Sequence, residues 1–275
     1  MNSLIKRHED GTIELTVTIP QSLVKKEKEH VIEEHVKVSE LPGFRKGMAP
    51  KELVEKTLDK DHIREDILRK LLPDTYVEAL KEHKLNPILN PKLHVEKLEE
   101  EKDWVYTALT AEAPDVELGN YKSEIKKITA KSKIAVPGKE PMAVSFEEIS
   151  KILIDSAKLR IPKVIIDQEV DRLLSQTLDE VRKLGLTLDQ YLASTGRNSE
   201  GLRQEYAQKA EKDVKLEFIL QKVAEQEGIR IEEKEIDEAI AQAKDETERQ
   251  NLAGNRYLLS SIIRQQKTLD FLRAL

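Results

Sequence analysis

The sequence predicts an α+β N-terminal domain followed by an all-α, elongated domain, and three observations predict it. Between residues 12 and 19 the polar Thr12, Glu14, Thr16 and Thr18 alternate with Ile13, Leu15, Val17 and Ile19. That period of two belongs to a half-buried strand. Two further strand-like runs, Lys92–Lys97 and Trp104–Glu112, lie beyond a stretch of helical periodicity. From Ser145 onward only helical periodicity is found. Charged residues make up 36% and hydrophobic ones 39%, with ten Gly and ten Pro, a mixture suited to long amphipathic helices with wide solvated faces. A chain of 275 residues exceeds one average domain, so two are expected.

The elements follow in order. The strand at 12–19 ends at Pro20. Residues 21–38 are helical, with Val24, Val31 and Val38 at heptad spacing beside Ile32. A loop covers 40–49, and Pro50 with Lys51 opens a short helix to Leu58, since proline is well tolerated in a first turn. Asp61 caps a long helix over 61–85, whose apolar face carries Ile63, Ile67 and Leu71 beside Leu68, Leu72, Tyr76 and Leu80. Asn86-Pro87 breaks it. The order β-α-α-α-β-β brings its distant strands together only if the helices pack on the sheet, so residues 1–118 form one α+β domain.

Residues 119–144 read as a linker or extended arm, with a short strand at Ile125–Ile128 as an option. Lys122, Lys126, Lys127, Lys131, Lys133 and Lys139 solvate that connector. Residues 145–275 form the helical domain. Ser145-Phe146-Glu147-Glu148 is a capping-box pattern opening a helix to about Leu159. Pro162 starts the next helix, along which Ile166, Val170, Leu173, Thr177, Val181 and Leu184 recur until Gly185. A short helix at Thr187–Ser194, a long one at Ser199–Gln226 closed by Gly228, and helices at Glu232–Lys244 and Leu252–Leu272 complete the set.

Composition narrows the function. The net charge is −6, whereas a general nucleic-acid binder is usually basic, so any contact with RNA must be local. There is no Cys, which excludes thiolate chemistry and fits a reducing compartment. The N-terminus lacks an apolar signal core and no run approaches the length of a membrane span. The expectation is a soluble, cytoplasmic protein with no membrane partner.

The catalytic search predicts no enzyme. His30 and His35 stand five apart, roughly 140° around a helix, so they cannot share an ion as an i, i+4 pair does. No phosphate-cradling glycine motif and no nucleophile elbow is present. Asp167, Glu169 and Asp171 lie on the polar face of a helix and read as solvated rather than as a carboxylate pair. No catalytic residue, cofactor or metal is assigned.

One motif stands apart: Gly43-Phe44-Arg45-Lys46-Gly47-Met48-Ala49-Pro50. Glycines admit positive φ and proline sets the exit direction, so the segment reads as a tight, ordered loop tip. An aromatic beside two cations suits docking onto an acidic or RNA-containing surface. An ordinary turn with Phe44 folded into the core fits the same residues, and both readings stand at this point.

An α+β domain whose interhelical loop reads Gly-Phe-Arg-Lys-Gly-x-x-Pro resembles the trigger factor family of ribosome-associated chaperones. The helical region from Ile161-Pro162 and Ile166-Asp167-x-Glu169 onward resembles that family's C-terminal substrate-binding domain, on hydrophobic pattern. The resemblance implies that Phe44, Arg45 and Lys46 contact the ribosome near the exit tunnel, at ribosomal protein and rRNA, with Gly43, Gly47 and Pro50 shaping the loop. It implies an ATP-independent chaperone whose helical domain binds nascent or unfolded polypeptides, and a homodimer as one option for the free protein. Family members usually carry an FKBP-like prolyl isomerase domain between the two halves, and such a domain needs about a hundred residues to close a core. Only residues 119–144 separate the halves here, so a short form without that domain is expected. A free helical interaction or scaffold protein and a residual prolyl isomerase are the alternatives.

Overall fold

The computed structural model describes residues 1–99, 101–132 and 144–275. They divide into two compact units, Met1–Ala113 with Pro162–Ile165, and Pro114–Ile161 with Ile166–Leu275. Among the described residues no helix is long and apolar enough to cross a membrane.

The first unit holds strands β1 (Asn2–Arg7), β2 (Ile13–Ile19), β3 (Lys92–Lys97) and β4 (Trp104–Thr110). Helices α1 (Gln21–Val38), α2 (Lys51–Thr57) and α3 (Lys60–His83) fall between β2 and β3 in the chain. The strands form one antiparallel sheet in the order β1-β2-β4-β3. The central pair runs from Ile13 opposite Thr110 to Ile19 opposite Trp104. Alternation in β2 sends Ile13, Leu15, Val17 and Ile19 into the core and leaves the residues between them half-buried. Against that face pack Val31 of α1 and Ile63, Ile67 and Leu71 of α3, with Trp104 and Tyr106 of β4. Each such burial stabilises by about 1.5–3 kcal/mol. The Thr75 hydroxyl donates to the Leu71 carbonyl at 2.6 Å and lies 3.0 Å from the Tyr106 hydroxyl, tying α3 to β4.

Local chemistry sets the ends of α3. Asp59, not Asp61, is the N-cap: its carboxylate accepts from the Asp61 N–H at 3.0 Å. The Asp61 assignment fails because Asp61 is already inside the first turn. At the other end Lys84 adopts the left-handed conformation and the Leu85 N–H bonds to the Leu80 carbonyl at 2.9 Å, before Asn86-Pro87 is reached. Strand β1 is absent from the sequence expectation. Its residues do not alternate cleanly, and their strand state comes from pairing with β2, Asn2 opposite Thr18 through Arg7 opposite Ile13.

The second unit is helical: α4 (Tyr121–Ser132), α5 (Phe146–Ser156), α6 (Lys163–Lys183, from Ile166 onward in this unit), α7 (Leu188–Thr195), α8 (Ser199–Gln226), α9 (Glu233–Ala241), α10 (Glu246–Gly254) and α11 (Arg256–Ala274). The expected capping box opens α5, Ser145 Oγ accepting from the Glu148 N–H at 3.2 Å while the Glu148 carboxylate accepts from the Ser145 N–H at 3.1 Å. The main core joins Ile149 and Leu153 of α5, Ile219 and Val223 of α8 and Leu272 of α11. A smaller cluster joins Val170 and Leu173 of α6 to Ala210 of α8. The single helix expected over Leu252–Leu272 is two, because Asn255 leaves helical geometry at φ −121° and ψ 41° between α10 and α11.

The linker expected at 119–144 is the largest correction. Residues 121–132 are helix α4, Tyr121 and Ile125 are buried in the same core as α5 and α8, and the strand option at Ile125–Ile128 falls inside that helix. Tyr121, Ile125 and Ile128 recur at i, i+4 and i+7, a helical stripe outweighed in the sequence by the lysines around it. Lys122 is no free connector charge: its Nζ lies 2.8 Å from Glu227, which also accepts from the Tyr121 hydroxyl at 3.0 Å. Burial first, and then the Glu227 carboxylate, push the Tyr121 phenol up. Residues 133–143, with Lys133 and Lys139, lie outside the described residues. Just before α4, Glu117 and Lys158 exchange both backbone hydrogen bonds, at 3.0 and 2.9 Å.

Candidate functional site

The loop between α1 and α2 is built from two successive turns. Helix α1 stops at Val38, where Ser39 turns extended while its N–H still bonds to the His35 carbonyl at 2.9 Å. In the first turn the Phe44 N–H bonds to the Leu41 carbonyl at 3.0 Å, with Pro42 second and Gly43 third at φ +89°. In the second the Met48 N–H bonds to the Arg45 carbonyl at 2.9 Å, with Lys46 second and Gly47 third at φ +76°. Positive φ at the third position is what a type II turn needs, and proline favours the second. The two glycines thus do the same work four residues apart, and Phe44-Arg45 is held between them.

Closure onto α1 fixes the loop's base. The Gly47 N–H bonds to the Ser39 carbonyl at 3.2 Å, and a Cβ on Gly47 would meet the Lys37 carbonyl oxygen at 3.2 Å. Ala49 is buried, and Pro50 leads into α2 at φ −58° and ψ 138°. Phe44, Arg45 and Lys46 are all exposed, Phe44 at 41% of its surface. Met48 and Val38 beside them are also exposed. Of the two readings of the motif, the turn with Phe44 in the core is therefore not the one observed.

Electrostatics separate the two cations. Lys46 Nζ lies 3.7 Å from the Glu40 carboxylate, and both side chains are largely exposed. Arg45 makes no ion pair among the described residues. The Glu40–Lys46 pairing is not legible in the sequence, because six residues of irregular backbone place the two groups together.

The residues weighed for metal or acid–base chemistry have other partners. His35 Nε2 lies 2.8 Å from Asp66 on α3, whereas His30 faces Glu27 at 3.3 Å, so the two histidines point to different groups. The Asp66 carboxyl is held below its ordinary value, first by the hydrogen bond with His35 and further by the charges of His62, His35 and Arg69. Glu169 binds Arg172 at 2.6 Å and Asp171 faces Arg203 at 3.7 Å, as members of a solvated face. The Glu33 carboxylate pairs with Lys51, joining α1 to the start of α2.

Comparisons with known proteins cover both units. A family model described as "Bacterial trigger factor protein (TF)" matches residues 1–149, and one described as "Bacterial trigger factor protein (TF) C-terminus" matches residues 141–274. The chain is similar to the trigger factor of Staphylococcus epidermidis, 37% identical over 114 residues, which are 41% of this chain and 26% of that one. It is similar to the trigger factor of Streptococcus pneumoniae, 38% identical over 109 residues, which are 40% of this chain and 26% of that one. The match thus spans about a quarter of the length of these curated relatives. A solved structure reported as "Promiscuous Substrate Recognition in Folding and Assembly Activities of the Trigger Factor Chaperone" aligns with a TM-score of 0.63 over 100% of this chain and 99% of that one. At 13% identity that likeness speaks for the fold alone.

Proposed function

This chain belongs to the trigger factor family, and from that premise we propose that it is an ATP-independent chaperone that docks on the ribosome near the exit tunnel and binds nascent or unfolded polypeptides. The observation that carries the docking role is the exposed tip Phe44-Arg45-Lys46, held between two glycine turns and closed onto α1. An aromatic side chain and a cation with no partner of its own are groups that gain by meeting an apolar and anionic surface. Cations against phosphate or carboxylate make such docking sensitive to salt. The helical unit is the proposed client-binding part, and weak, distributed apolar contacts suit a chaperone that must release its client. Site of action in the cytoplasm belongs to the same proposal.

We propose further that the chain works without prolyl isomerisation. The two family matches overlap at residues 141–149, so no segment of domain size lies between them.

Co-sedimentation with ribosomes tests the docking role. The wild-type chain is expected to sediment with ribosomes at low salt. The triple variant Phe44→Ala, Arg45→Ala, Lys46→Ala is expected to stay in the supernatant with an unchanged melting temperature. Equal sedimentation of the two would sink the role given to the loop. A parallel assay of aggregation of a denatured client tests the helical unit, and catalysis of proline-limited refolding would overturn the second proposal.

A further inference from the structure

The loop carries its own competing anion. Glu40 stands at the base of the tip, with its carboxylate 3.7 Å from Lys46 Nζ and its side chain 73% exposed. Arg45, one residue away, has no such partner among the described residues. Within one loop, then, one cation is already engaged and the other is open. Resting on the docking role proposed above, we infer that Glu40 is an affinity-determining residue that weakens docking by occupying Lys46.

The physical argument runs through exchange of partners. An anionic group on the ribosome surface must displace the Glu40 carboxylate to meet the Lys46 ammonium, and it must approach a second negative charge while doing so. Arg45 meets its anion with no exchange. An exposed ion pair of this kind is worth little, and by the usual measure of such pairs its removal changes an equilibrium about two- to fivefold. That range suits adjustment rather than blockade: Glu40 lowers the residence time of the complex without preventing it. Charged rim residues act on encounter and on salt dependence in the same way.

A double-mutant cycle on the full chain tests this, read as ribosome affinity by co-sedimentation across a salt series. Glu40→Gln is expected to tighten binding about two- to fivefold at low salt and to steepen the fall of affinity with salt. In the Lys46→Ala background the same change is expected to give no gain. A gain that persists in that background would mean Glu40 merely repels the anionic surface, and the inference would fail. It would fail equally if Glu40→Gln left binding unchanged or weaker. Wild-type protein that does not sediment at all defeats the docking role itself, so the two failures are distinguishable. Glu40 is on the surface, and an unchanged melting temperature of Glu40→Gln confirms that the variant is folded.

Discussion

Replacing Gly119 by alanine would put a methyl group where the carbonyl oxygen of Ser156 already lies. The added Cβ would sit closer to that oxygen than 3.0 Å, a limit real Cβ atoms essentially never cross, and 3.2 Å from its carbonyl carbon. Gly119 is not among the glycines with positive φ, so the clash is steric and owes nothing to backbone preference. The neighbour is backbone at the end of α5, which cannot rotate away as a side chain can. Two residues on each side, the Glu117–Lys158 bridge would have to open or shift. Overpacking of this type costs about 1–3 kcal/mol, and each weakened backbone hydrogen bond adds about 1 kcal/mol. The stiffer unfolded chain returns about 0.5 kcal/mol. The expected loss is therefore about 2–4 kcal/mol.

Urea unfolding followed by far-ultraviolet circular dichroism reads that loss in the helical unit. With a slope of about 1–3 kcal/mol per molar urea, the midpoint should fall by about 1–2 M. The single tryptophan, Trp104, is buried in the core of the other unit, so its fluorescence provides a second probe, expected to move less. Gly254→Ala is the control of opposite sign. Nothing lies within 4 Å of its added Cβ, and it ends α10, so a gain of about 0.5 kcal/mol is expected. An unchanged midpoint for Gly119→Ala would refute the reasoning. It would mean that residues 117–119 are not pinned to α5 and that the chain before α4 behaves as a linker after all.

Two further outcomes follow from the first unit. Gly43→Ala should strain only the backbone, by about 1 kcal/mol, whereas Gly47→Ala adds the Lys37 carbonyl contact and should cost more; faster amide exchange at Gly47 or Met48 in the second variant than the first is the check, and the reverse order would argue against closure of the loop on α1. Asp66 is held below its ordinary pKa in the folded protein, so the stability it contributes is present above the unfolded value of about 4 and is lost as pH falls through the folded value. Asp66→Asn should cost about 1 kcal/mol at neutral pH and flatten the acid limb of melting temperature against pH; an acid limb identical to wild type would remove Asp66 from that account.

The sequence by itself determined what is written in local chemistry. Period two in Ile13–Ile19, the capping box at Ser145, the stops at Gly185 and Gly228 and the two loop glycines all act within a few residues. Gly43 and Gly47 were legible as shapers of the loop for that reason, since a turn of this type needs positive φ whatever surrounds it. Strand β1 was not, because an edge strand takes its state from the partner it bonds to. Helix α4 lay behind its lysines: a stripe of Tyr121, Ile125 and Ile128 looks thin in sequence and becomes decisive only when α5, α8 and α11 supply the other side of a core. Exposure of Phe44 and the pairing of Lys46 with Glu40 likewise belong to the tertiary structure. Turn type depends on the residues within it, whereas burial and charge pairing depend on what the rest of the chain brings near.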